Sequence, residues 1–406
     1  MHLFLNGLAA SAGGGLTYLR NVIPHLSSRT ELRMTVAVSH DLRGEFAPLQ
    51  GITCLALDVP NSAFRRFWWE QLVLPKIISK SGADVLVSAG NFALRNSPVP
   101  QILLSRNSLY LSNHFYRDLL AREEYAMWLD TRAKGSLARW SIEWADRTVA
   151  PSETFARELR EWTARDVQCI YHGFDHRNFL RDDSELPTEV QAKLGAAEDS
   201  FRLLFVSHFN YYRNFETLLR SLPLLRDHLG KKVNLLLTCR LSRKQNPSPY
   251  RTESAAALVR RLGISEMIVE LGAVPYSQLH RLYKACDAYV TPAYSESFAH
   301  PLVEAMAGGL PIIASDIAVH REICRDSAIY FPPFSPKILA DKVAELITSS
   351  QIRDRLSHRG HLRSQDFSWE RHVTELVGLA EGLLSRVKPF TDPAVEAALA
   401  ASGTCY

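Results

Sequence analysis

Short apolar runs alternate with amphipathic, helix-period stretches along almost the whole chain. "HLFLN" gives way to a glycine-rich turn and the helical pattern "LTYLRNVIPHL", then to a second apolar run, "MTVAVS". "ADVLVSA", "QILLS" and "DRTVAPS" follow at strand length. Strand-length runs separated by helical segments predict an α/β fold with parallel sheets. Near residue 180 the texture changes, because "RDDSELPTEVQAKLGAAEDS" is polar, contains proline and glycine, and reads as a linker. A second series starts with "FRLLFVS" and the helical "NFETLLRSLPLL", and continues through "VNLLLTC", "MIVELGA", "DAYVTP" and "SAIYFPP". Each half should therefore be its own open sheet with helices on both faces. Ligands of such sheets bind at the carboxyl ends of the strands, which puts the expected site in the cleft between the halves.

Composition narrows this picture only a little. A chain of 406 residues exceeds what one hydrophobic core usually supports, so two domains are expected. Hydrophobic content of 46% and charged content of 22% are those of an ordinary globular protein. The net charge of +4 suits an anionic small ligand or a membrane surface and is too diffuse for nucleic acid. Six scattered cysteines without CxxC or zinc spacing read as reduced thiols of a cytoplasmic protein. "MHLFLNG" reads as a first strand and not as a leader peptide, and no run of eighteen apolar residues is present to span a membrane.

Three stretches carry candidate chemistry. In "NGLAASAGGGLTYL", Asn6 ends a strand, and Gly13, Gly14 and Gly15 lead into a helix whose N–H groups can approach an anion. A plain flexible turn explains the same residues. The dinucleotide fingerprint fails, since Tyr18 stands where its third glycine belongs, although Asp41 after the second strand would favour a dinucleotide. In "LLFVSHFNYYRNFETLL" a polar loop carries His208, Asn210, Arg213 and Asn214 beyond a strand. Arg213 suits a phosphate because its planar fork meets two oxygens at once.

The third stretch, "ESFAHPLVEAMAGGLPIIAS", has Glu296 in a loop and Glu304 one turn inside a helix. Pro301 fits a first helical turn, and Gly308, Gly309 and Pro311 end the helix. Helical side chains lean back toward the amino terminus, so both carboxylates can face one ligand at the helix's positive end. No Asp-x-Asp, metal-ligand spacing, Gly-x-Ser-x-Gly elbow or Walker loop occurs. A bound diphosphate would have to be neutralised by protein groups.

Glu296 and Glu304, with seven residues between them, resemble the Glu-x7-Glu signature of GT-B glycosyltransferases of family 4. The resemblance extends over nearly the whole chain, through "VAPSETFARELRE", "CIYHGFDHRNF", "LGAVPYSQLHRLYKACDAYVTPAYSESF" and the terminal "FSWERHVTELVGLAEGLL". Within the family it is similar to the subgroup near bacterial polysaccharide mannosyltransferases. It implies two Rossmann-like domains, residues 1–182 on the acceptor side and 200–368 on the donor side. A helix at about 369–388 would complete the first domain, and 389–406 would form a loose tail.

The resemblance further implies retaining, metal-independent transfer of a hexose from a nucleotide-diphosphate sugar, with GDP-mannose as the suggested donor. The acceptor would be a glycan or lipid-linked saccharide, the setting polysaccharide biosynthesis, and no cofactor would be needed. Matched by position, Glu296 would hold the sugar near the reacting carbon and Glu304 the ribose. Backbone groups of Ser297, Phe298, Ala299 and His300 would surround sugar and phosphate, and Val274 would lie near the base. Arg213 falls where the family carries a phosphate-binding lysine, next to Asn214. Gly14 and Gly15 would line the donor, with Gly13 and Asn107 on the acceptor side.

Two departures from the family stand out. Ser207-His208 replaces a Gly-Arg, and Arg106-Asn107 occupies roughly the place of a first-domain histidine. Arg106 can compensate for the missing cation and join Glu296 and Arg213 as a catalytic group. Altered or lost activity is the other reading, as in a GT-B epimerase or a non-catalytic nucleotide-sugar binder. The aromatic-basic "FRRFWWEQLVLP" hints at peripheral membrane contact, and a partly buried helix explains it equally well.

Overall fold

The computed structural model describes residues 1–10, 13–228, 232–242 and 249–387. Two parallel sheets form, as the alternation predicts. The first contains β1 (His2–Asn6), β2 (Arg33–Ser39), β3 (Ile52–Leu57), β4 (Val85–Ser88), β5 (Gln101–Leu104), β6 (Arg147–Ala150) and β7 (Gln168–Cys169). Its order is β3-β2-β1-β4-β5-β6-β7. The second contains β8 (Phe201–Phe205), β9 (Val233–Leu237), β10 (Ile268–Glu270), β11 (Ala288–Thr291), β12 (Ile312–Ser315) and β13 (Ala328–Phe331), ordered β10-β9-β8-β11-β12-β13. In both, the order reverses beside the first strand of the half, where successive crossovers leave on opposite faces and open a crevice.

Burial on both faces explains why the strands read as continuous apolar runs rather than alternating ones. Leu3, Leu5, Val85, Val87, Ile102 and Leu104 pack on one side of the first sheet, with the helix Gly13–Ser27. Phe4 and Leu86 point the other way, to Leu74 and Ile78 of the helix Ala63–Ser81. Leu103 does the same toward Ile142 of the helix Tyr125–Trp144 and toward Phe155.

The closing helix, Trp369–Val387, comes back to the first sheet, and Trp369, Val373, Leu376, Val377, Ala380 and Leu383 join its core. Each large side chain so buried is worth roughly 1.5–3 kcal/mol, enough to hold this helix on the first sheet. The crossing is close: a Cβ on Gly173 would lie 2.1 Å from the Trp369 nitrogen, so only glycine fits there. The stretch expected as a linker is partly ordered as the helix Thr188–Ala196. Val190 and Leu194, four apart, tuck into the second domain's core beside Leu279 and Leu282, so packing overrides the polar composition.

The two halves meet through specific contacts. Glu322 of the second half accepts from the first-turn amides of Glu153 and Thr154, 2.7 Å each, and from the Tyr171 hydroxyl at 2.7 Å. A carboxylate at a helix amino terminus is favoured by the helix dipole. Arg122 bridges Asp118 and Glu216 at 2.7 Å each, while Phe115 and Leu119 insert into the second half's core.

Candidate active site

β11 ends at Thr291, and the loop that follows leads into the helix His300–Ala307. Ala299 caps that helix with φ 67° and ψ 62°, a left-handed conformation that costs a non-glycine residue roughly 1–2 kcal/mol. The backbone N–H groups of Ser297, Phe298 and Ala299 in this strained turn have no acceptor among the described residues. Loop amides and a helix amino terminus converging on one spot make an anion seat.

The two glutamates sit on this seat in different environments. Glu296 accepts from Nη1 of Arg213 in a close ion pair, with side chains 10% and 15% exposed. Burial pushes the Glu296 carboxyl pKa up, against the pull of Arg213. The Arg213 Nε stays buried with no partner. Glu304 is 6% exposed and accepts from the Tyr283 hydroxyl at 2.9 Å. Burial raises its pKa to about 7, with Tyr283 and Arg213 opposing.

From the other half, Arg106 reaches the same loop. Its carbonyl accepts from the Ser297 hydroxyl at 2.8 Å, its Nη2 donates to the Ala89 carbonyl, and its guanidinium lies 4.6 Å over the Tyr18 ring. Its Nε is buried without a partner, and it forms no ion pair among the described residues. Burial pulls its pKa below the ordinary arginine value. A Cβ built on Gly15 would lie 3.3 Å from Ala10 and 4.0 Å from Arg106 Nη2, so a larger side chain there would press on Ala10 and reach the guanidinium. Gly13 and Gly14 form the first turn of the helix Gly13–Ser27, with Gly14 in open space.

Other expected site residues do structural work or stand apart. Asn214, buried with φ 56°, donates to the Pro292 and Pro333 carbonyls at 3.1 and 2.6 Å and accepts from Thr217. Its side chain staples the Arg213 turn and has no atom to spare for a donor. Asn107 likewise spends its oxygen on the Leu109 amide at 3.1 Å. Ser207 donates to the His208 carbonyl at 2.6 Å, and the His208 side chain is exposed at the loop tip. Val274 lies in the loop beyond β10 and packs on the second core.

Phe298 and His300 point into a buried aromatic knot, which sequence reasoning did not find. His172 Nδ1 lies 3.0 Å from His300 Nε2, with the rings stacked at 5.1 Å. Tyr18 contacts His372 Nε2 at 2.9 Å, and Trp369 packs against both His172 and His372. Burial, with Arg106 and the other histidines adding to it, lowers His300 to about 4 and His172 well below its usual value. For His372, burial with Arg106 outweighs the Tyr171 carbonyl and again gives about 4. Tyr18 stands where a dinucleotide fingerprint needs glycine because it closes this knot. His172 and His372 are two hundred positions apart, and no local signal joins them.

Comparison with known proteins agrees with the geometry. Residues 12–178 match the model described as Glycosyltransferase Family 4, and residues 188–363 that described as Glycosyl transferases group 1. The fold is GT-B. The chain is similar to sucrose-phosphate synthase of Thermosynechococcus elongatus (TM-score 0.76, 17% identity, 95% of this chain and 100% of that one). It is also similar to HepE of Anabaena in complex with UDP-glucose (TM-score 0.69, 16% identity, 94% and 100%). Among curated proteins it resembles the D-inositol 3-phosphate glycosyltransferase of Nocardia farcinica, 28% identical over 246 residues, 59% of this chain and 52% of the relative. The protein of that name from Geodermatophilus obscurus is 31% identical over 245 residues, 57% and 52%. The chain spans about half the length of the curated relatives it matches.

Proposed function

We propose that this protein transfers a hexose from a nucleotide-diphosphate sugar to a hydroxyl of a glycan or lipid-linked saccharide, with retention and without a metal ion. The observation that carries the proposal is Arg106, a cation with a buried, unpartnered Nε and no carboxylate partner, beside the unpaired amides of Ser297 to Ala299. A buried charge without a counter-charge is costly, so the natural partner is an anionic ligand in the cleft. Arg106, Arg213 and the loop amides supply enough positive potential for a diphosphate. Among the described residues no three His, Cys, Asp or Glu side chains gather where a metal would sit.

In this reading Arg106, Arg213 and the loop amides stabilise negative charge as the glycosidic bond breaks, while Glu296 stabilises positive charge on the reacting carbon. Glu304 accepts from the ribose hydroxyls. The departing phosphate takes the acceptor's proton on the same face, which gives retention. A mannosyl donor and a role in polysaccharide biosynthesis rest on the family resemblance alone. The relatives' names add D-inositol 3-phosphate as an acceptor to test, and the neighbour's UDP-glucose is a donor to test.

The test is calorimetric titration of UDP- and GDP-hexoses into wild type and Arg106→Leu, in excess EDTA and in magnesium. Wild type should bind equally in both buffers. Arg106→Leu should lose about 10-fold or more, as when a charged hydrogen bond worth about 1.5–3 kcal/mol goes. Undiminished binding by Arg106→Leu refutes the diphosphate seat, and loss of binding on chelation refutes metal independence.

A further inference from the structure

The face of the first sheet opposite the closing helix carries an unusual concentration of apolar side chains. Of the thirteen large hydrophobic residues exposed among the described residues, six lie on two helices between 63 and 144. On the helix Ala63–Ser81 they are Phe64, Trp68 and Leu72, 67%, 50% and 69% exposed. Spacing of four puts them in one stripe along the outer side. The helix Tyr125–Trp144 exposes Tyr125, Leu129 and Trp140 at 63%, 65% and 49%.

Both helices cover the same face. Phe4, Leu86 and Leu103 point toward them, while the alternate strand residues face the closing helix. Rings bridge the two helices: Phe67 meets Phe92 edge-to-face at 5.8 Å, and Phe92 lies tilted against Tyr110 at 6.5 Å. Tyr110 in turn lies 3.6 Å from a Cβ built on Gly135 of the second helix.

Charge says what covers this face. Arg65, Lys76 and Lys80 are exposed on the first helix and make no ion pair among the described residues, while its one carboxylate, Glu70, is buried. The second helix adds exposed Arg132, whereas its Lys134 and Arg139 are paired with Asp130 and Glu143. A second copy docked by a two-fold axis would set these cations against one another. Anionic headgroups would neutralise them while the aromatic and leucine side chains enter the interface. No helix of the described residues is long and apolar enough to cross a membrane.

We propose that this face binds the surface of an anionic bilayer, with Trp68 and Trp140 as interfacial anchors. The helix Ala63–Ser81 begins beyond the carboxyl end of β3, at the rim of the cleft. Docking therefore brings the acceptor side of the cleft to the headgroups, where a lipid-linked acceptor would be met. That consequence rests on the glycosyltransferase reading, whereas the surface itself does not.

The test is co-sedimentation of the full chain with vesicles of phosphatidylcholine alone or with one third phosphatidylglycerol. Partition should be about tenfold or more stronger on the anionic vesicles and should fall as salt rises. Two combined variants, Phe64→Ser/Trp68→Ser/Leu72→Ser and Arg65→Glu/Lys76→Glu/Lys80→Glu, should each reduce it about tenfold while the melting transition stays at the wild-type temperature. Equal partition on both vesicle types overturns the proposal, as does unchanged partition by the charge variant. A concentration-dependent dimer without vesicle binding, abolished by Trp68→Ser, assigns the face to a second copy and also overturns it. None of these readouts depends on transferase activity.

Discussion

Glu304 offers the sharpest test of the site, because its environment makes opposite demands on the empty and the occupied protein. Its carboxyl is 6% exposed, with the Tyr283 hydroxyl as its hydrogen-bond donor. Burial lifts its pKa from 4.5 to about 7. The folded protein therefore holds a proton that the unfolded chain releases at lower pH. Between pH 4.5 and 7 the native state binds more protons, so this group's contribution to stability falls as pH rises through that window and is flat above it. At about 1.4 kcal/mol per tenfold change in proton affinity, the cost at pH 8 is about 3 kcal/mol.

Glu304→Gln keeps an oxygen for Tyr283 and removes the titration. Urea unfolding of both proteins across this range should show the variant gaining stability over wild type as pH rises, by up to about 3 kcal/mol. Taking the difference between the proteins cancels the other titrating groups. On the proposed reading nucleotide should reverse the preference, because ribose hydroxyls bond more strongly to an ionised carboxylate. Calorimetry at pH 6 in buffers of different ionisation enthalpy should report nearly one proton released on binding to wild type, and little with the variant. Parallel stability curves would mean the carboxyl is hydrated. Equal proton release by both proteins would remove Glu304 from the ribose.

Glu296→Gln should lower kcat by about 10²-fold, the cost of one preorganised electrostatic contact. The same change should tighten nucleoside diphosphate binding, since Arg213 no longer has a carboxylate partner to leave; weaker diphosphate binding in titration would show that the ion pair is not the resting state of the donor seat. The buried histidines predict acid sensitivity: burial holds His300 and His372 at about 4 in the folded protein, so between about 6.5 and 4 the unfolded chain binds more protons and stability falls as pH falls. His372→Gln should flatten that limb of the stability profile, and an unchanged profile refutes the role given to the knot. Gly173→Ala should cost about 2 kcal/mol or more by forcing apart the Gly173 and Trp369 backbones, read as a lower melting temperature; a wild-type melt would show that the crossing is loose.

The sequence by itself determined the architecture and pointed to the centre of the candidate site. Alternating strand and helix periods are local properties, and burial on both faces of a parallel sheet requires the apolar runs that announce it. Glu296 and Glu304 were legible because one loop and one helical turn place both, and spacing along a helix is geometry already. The helix in the expected linker was hidden, since Val190 and Leu194 find their partners only at Leu279 and Leu282. Tertiary structure alone decided which polar residues stay free. Asn214 looks like a donor contact in the chain, yet Pro292 and Pro333 arrive from distant segments and take its amide. Arg106 looks like a substitute for a missing histidine, and only the fold leaves its Nε buried and unpartnered. The His172–His300–His372 knot and the aromatic-basic face belong to the same kind. Each is built from residues whose meeting depends on long loops closing, and burial, which sets both pKa and exposure, does not exist until they have closed.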